Sequence, residues 1–163
     1  MIEKLRKYIK LNYEKPCNNR FKKAFFHFEE ERCASCLGKE TNINEFIKEK
    51  DKYSNFQTLL FKMIDERNLK DSDVYNKVHI DRRLFSKIRN ENYHPSKETI
   101  ILLGLSLELN EEEIIELLNS ASYTLPKNNY YDLIIRFCFI NKIYDLSKVN
   151  ELLDEYHCKL FNI

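Results

Sequence analysis

Glycine and proline are nearly missing from this chain: two of the first and three of the second serve 163 residues. A β-sandwich or barrel needs many tight turns, so this scarcity excludes one and favours helices joined by short links. No apolar run is long enough to span a bilayer. The most apolar stretch, Leu133 to Ile140, is interrupted by Arg136 and falls far short of the ~20 residues required. Met1 to Lys10 mixes basic and apolar side chains and lacks the unbroken apolar core of a secretory signal. Five cysteines, an odd number without such a signal, argue against a disulfide framework. A cytoplasmic protein without membrane association is therefore expected. Catalytic signatures are missing as well: no Gly-rich phosphate loop, no Gly-x-Ser-x-Gly elbow and no His-Glu-x-x-His. A binding role is expected, not an enzyme.

What is present is core material: 43% hydrophobic residues, including eleven Phe and ten Tyr. The net charge of +1 hides a segregation. Residues 1–23 carry eight basic side chains against two acidic, whereas 98–119 carry six acidic and no basic. Such separation points to faces with different partners; an unevenly charged solvated surface is the plainer alternative.

Periodicity divides the chain into three parts: a basic, helical extension over 1–53, a central unit over 54–124 and a helical pair over 125–163. Ile2, Leu5, Ile9 and Tyr13 lie at helical spacing, and Pro16 ends that segment. Short helices are expected at 21–31 and 43–50. The central unit opens with a stripe of Phe56, Leu59, Leu60 and Met63. A second helix covers Asp71 to Val78, and Asp81 caps a third over 82–90. In that third helix Leu84, Phe85 and Ile88 share one face; Arg83, Ser86, Lys87 and Asn90 share the other. Ser96 caps a fourth, and Asn110 with Glu113 starts a fifth as a capping box. Residues 129–141 are apolar nearly all round, so that helix is expected to be buried or to lie in an interface, where Phe137, Phe139 and Ile140 would bury against a second copy in a dimer.

Five short helices, with His79-Ile80-Asp81 as the turn between the second and third, form the layout of a helix-turn-helix module. The stretch FQTLLFKMIDERNLKDSDVYNKVHIDRRLFSKIRNENYHPSKETIILLGLSLELNEEEIIELL resembles the Cro/repressor-type (XRE) family, most tellingly in IDRRLFSKIRNENYHPSKETIILLGLSLEL. The resemblance spans residues of about 54–119. It implies an all-α protein with a five-helix core whose third helix docks in the major groove of DNA. Carried over by position, Arg82, Arg83, Ser86 and Lys87 would face base edges, and Asn90, Asn92, His94 and Lys97 would face phosphates. Independently of the family, residues 82–97 hold five basic side chains and one acidic, the right sign for a polyanion. Three positions depart from the family pattern. Asp71 replaces the Gln that contacts the DNA backbone and is followed by Asp73; Tyr75 replaces a small residue; His79 replaces the turn glycine. Carboxylates near phosphates would repel them.

Cys33-Ala-Ser-Cys36, with Cys17 and His27 upstream, could supply four zinc ligands. The spacing matches no standard finger, so reduced, unliganded cysteines are the favoured reading, with zinc and a redox pair behind it, and no cofactor is expected. Cys138 reads as a core residue. The functional expectation is a sequence-specific DNA-binding regulator or repressor acting as a homodimer. The alternative is a protein-interaction module, of a defence, counter-defence or antitoxin-like kind, that keeps the scaffold without reading DNA. RNA binding through the basic segment 1–23 stands third.

Overall fold

Eight helices and no strand make up the residues described by this computed structural model, 1–15 and 55–162. In chain order they are α1 (Ile2–Asn12), α2 (Phe56–Glu66), α3 (Asp71–Lys77), α4 (Arg82–Ile88), α5 (Lys97–Ser106), α6 (Glu111–Ser120), α7 (Tyr130–Ile140) and α8 (Leu146–Asp154). The helices expected at 21–31 and 43–50 lie outside the described residues. No helix among those described is long and apolar enough to cross a membrane.

The shortage of glycine has a direct structural consequence. Six helices, α2, α3, α5, α6, α7 and α8, end on a residue with positive φ, and none of the six is glycine: Asn68, His79, Glu108, Ser122, Lys142 and His157, all between 51° and 61°. Each end closes the same way. The next residue's N–H bonds back to a carbonyl five positions earlier, as Leu69 does to Ile64, Ile80 to Tyr75 and Leu109 to Gly104. The residue that closes the ring is apolar or aromatic every time, and in all but Leu69, which is exposed, its side chain packs in or against the core. That anchoring compensates for left-handed backbone, which is unfavourable by roughly 1–2 kcal/mol for a side chain with a Cβ. The starts of α4 to α8 carry side-chain caps, whereas those of α1, α2 and α3 do not. Asp81 accepts from the Arg83 N–H at 2.6 Å, Ser96 from Thr99 at 3.2 Å, and Asn110 and Glu113 form both halves of a capping box. Burial works to raise the Glu113 carboxyl; the Asn110 N–H and the Arg67 guanidinium outweigh it and hold it below the usual range.

Packing joins the two ends of the chain. Residues before Pro16 and those from Ser54 onward belong to one compact unit, because α1 lies on α7. Leu5 and Ile9 of α1 are buried, and Tyr8 meets Phe137 at 5.4 Å between ring centres. Helix α7 therefore buries Leu133, Ile134, Ile135, Phe137, Cys138 and Phe139 within its own chain, against α1, α6 and α8. Only Ile140 of the three residues assigned to a second copy stays exposed, at 42%. Part of that apolar surface is covered by α1, a helix more than a hundred residues away in sequence, a pairing no local pattern could show.

Where α5, α6 and α7 converge stands Gly104. A Cβ there would come within 2.5 Å of Ile114 Cδ1 and 3.2 Å of Phe139 Cζ, so the absent side chain makes room for both. Cys138 sits in the same core; burial pushes its thiol up to about 12, which leaves it protonated and unreactive.

Candidate nucleic-acid interface

Helix α4 begins one residue after the turn that closes α3. His79, at φ 54°, supplies the left-handed step there, and Ile80 and Asp81 then lead into the next helix. Imidazole is among the side chains that tolerate this backbone region, so the turn forms without the glycine expected at that place. Val78, Ile80, Phe85 and Ile88 are buried and fix α4 to the core. Tyr75 of α3 packs its ring on Phe85 at 5.5 Å, filling the space between the two helices with an aromatic pair.

With one face so anchored, the other is presented to solvent. Arg82, Arg83, Ser86 and Lys87 are all exposed. Among the described residues no ion pair engages Arg82, Arg83 or Lys87. Three cations and a hydroxyl thus share one unobstructed face of a rigidly held helix, which suits it to a polyanion or an acidic protein surface.

The second group of expected contacts is arranged differently. Lys97 points away from this face: its Nζ lies 2.5 Å from Asp132 Oδ1, and the Asp132 side chain is only 3% exposed. Asn129 Nδ2 donates to the other carboxylate oxygen at 3.2 Å. A buried carboxylate needs a cation, and α5 places Lys97 within reach of Asp132 on α7. The exposed His94 ring is engaged within the chain, with Nε2 at 2.9 Å from the Ala121 carbonyl oxygen and its plane tilted against Tyr123. Asn90 shapes the loop: its Oδ1 accepts from the Asn92 N–H at 3.0 Å. Asn90 and Asn92 remain exposed.

Two residues unnoticed in the sequence organise this region. Arg89, just past α4, pairs with Asp71 of α3 and lies over the Phe61 ring at 4.5 Å. The carboxylate that seemed set to repel phosphates is thereby neutralised, at the expense of one cation. Gln57, buried in α2, donates from Nε2 to the carbonyls of Asn90 and Tyr93 at 3.2 and 2.8 Å. A polar residue inside the Phe56–Met63 apolar stripe was the available signal for it. Asp73 lines a groove with Arg67, Lys77 and Glu108 and accepts a hydrogen bond from the Ser72 hydroxyl.

Cys17, His27, Cys33 and Cys36, the zinc candidates, lie outside the described residues. Among those described, no group of three or more His, Cys, Asp or Glu is placed to hold a metal. No protein-family model, curated protein or solved structure matches this chain.

Proposed function

We propose that the protein binds DNA sequence-specifically and acts as a transcriptional regulator, with α3, the His79 turn and α4 as a helix-turn-helix inside a five-helix, Cro/repressor-type core formed by α2 to α6. The observation that carries this reading is the exposed, unpaired row of Arg82, Arg83 and Lys87 on a helix whose opposite face is anchored. Arg and Lys suit the O6 and N7 acceptors of guanine, and Ser86 can serve several bases. Lys97 and His94 drop out of the contact set, since both are committed within the chain. A homodimer would bind two half-sites about 34 Å apart; sedimentation of the full chain tests that state separately.

Selected DNA sequences and gel-shift at stated salt provide the test. Arg83→Ala should weaken the preferred site by about 1–3 kcal/mol and relax preference at one base pair, with the thermal melt unchanged. If the three unpaired cations of the α4 face, Arg82, Arg83 and Lys87, make the contacts, the log–log salt slope should be roughly 3 per protomer, not the larger value a full contact set would give. Asp71→Asn should strengthen binding to all sequences, since it releases Arg89 and removes a negative charge beside the row. No sequence preference at low salt, and no loss on Arg83→Ala, would remove the proposal.

A second reading has its own support. The commitment of Lys97, His94 and Arg89 to partners within the chain leaves fewer groups to clamp a DNA backbone, which favours a protein-interaction module that docks an acidic partner surface on the same row. It predicts partner capture that is lost on changing Arg82, Arg83 and Lys87 together, without any shift of duplex DNA.

A further inference from the structure

Where the end of α7 meets the start of α6 lies an open depression of about 400 Å³, lined by Asn110, Glu111, Glu112, Phe139, Ile140 and Lys142. Along the apolar stretch Leu133 to Ile140, Ile140 alone is exposed, at 42%. Helix α1 runs antiparallel to α7, since Tyr8 meets Phe137 and Tyr13 stacks on Tyr130; the exposed Met1 therefore stands at this same end. The charges here are of both signs. Glu111 is matched by Arg136 at 2.5 Å. Glu112 and Lys142 are exposed, and among the described residues neither has an ion-pair partner.

A depression that carries an apolar knob, an unpaired carboxylate and an unpaired ammonium is complementary to itself. A foreign partner would have to bring both signs in matching places; a second copy brings them by symmetry. We propose that this α6–α7 depression is the face on which two copies of the chain pair about a twofold axis. Each Ile140 then enters the depression of the other copy, and each Lys142 meets the other's Glu112, so one contact is made twice. The apolar contact supplies the burial, and the crossed ion pairs fix the register and reject other partners. The contact uses no residue of α4, so the row of Arg82, Arg83 and Lys87 stays available in both copies. The inference rests on the homodimer of the proposed function and not on its reading of DNA.

Sedimentation equilibrium of the full chain, with charge reversal at the two crossed positions, supplies the test. The unaltered chain should be a dimer at micromolar concentration. Lys142→Glu sets a carboxylate against Glu112 of the second copy, and Glu112→Lys sets an ammonium against its Lys142. Each should raise the dimer Kd at least about tenfold, because like charges then meet twice per dimer. Glu112→Lys with Lys142→Glu restores opposite signs and should return the Kd to within about threefold of the unaltered chain. Recovery in a chain that carries both changes also excludes misfolding as the cause of the single effects. Ile140→Asp should give a monomer whose helical circular dichroism is intact. A monomeric unaltered chain would overturn the proposal along with the homodimer, leaving the α4 row to be judged by its own DNA assays. A dimer indifferent to the single reversals, or a double variant no tighter than the singles, would overturn this interface alone.

Discussion

Phe139→Ala should destabilise the protein by about 3–5 kcal/mol in urea or guanidinium unfolding, the range for emptying a large aromatic site in a core. Phe139 is 1% exposed and stands where α5, α6 and α7 meet. The stronger test of that junction is a cycle. Gly104→Ala gains helix propensity of about 1 kcal/mol but drives a methyl to 2.5 Å from Ile114 Cδ1, a fully buried atom with nowhere to go. Overpacking of this kind costs about 1–3 kcal/mol. Ile114→Val deletes the offending Cδ1, so the double variant should be more stable than the sum of the two singles by at least about 0.5 kcal/mol. Additive effects would mean that α5 and α6 can separate freely, and that the glycine is not what sets their approach.

Lys97→Met should lower stability by about 2–4 kcal/mol, because it strands the buried Asp132 carboxylate. The figure stands below the full value for a buried pair because Lys97 is one-quarter exposed and Asn129 still donates to Asp132. Lys97→Met with Asp132→Leu should recover most of the loss, since an apolar pair of similar volume needs no desolvation. Thermal melts followed by circular dichroism measure both. A melt unchanged by Lys97→Met, together with weaker binding to every DNA sequence, would instead restore Lys97 to the phosphate contacts assigned to it by position.

The two predictions mark different limits of sequence reading. Gly104 is visible in the chain, but inside a helical pattern it reads only as a weak spot. Its role depends on Ile114 and Phe139, ten and thirty-five positions on. Lys97 follows Ser96 at a helix start, and nothing local distinguishes a lysine bound for solvent from one bound for Asp132. Arg89 and Asp71 present the same problem at a separation of eighteen residues, and here the missed contact altered the chemistry of the site. Local electrostatics made Asp71 look repulsive; its partner makes it neutral.

What the amino-acid order determined by itself was everything carried by neighbours within about one helical turn or two. The 3.6-residue spacing of apolar side chains placed the helices, and Asp81, Ser96 and Asn110 placed their starts to the residue, since a cap acts on N–H groups two or three positions away. The same periodicity put Arg83, Ser86, Lys87 and Asn90 on the face that the structure exposes. The tertiary structure decided whatever required two distant segments to meet. It laid α1 over α7, and so covered part of the apolar face that had argued for a second copy. It committed Lys97 to Asp132 and His94 to the Ala121 carbonyl, and paired Asp71 with Arg89. The physical reason is the reach of the forces involved. Caps and helical stripes are specified by bonds a few residues long. Burial and ion pairing are specified by which surfaces pack, and packing is a property of the whole chain at once.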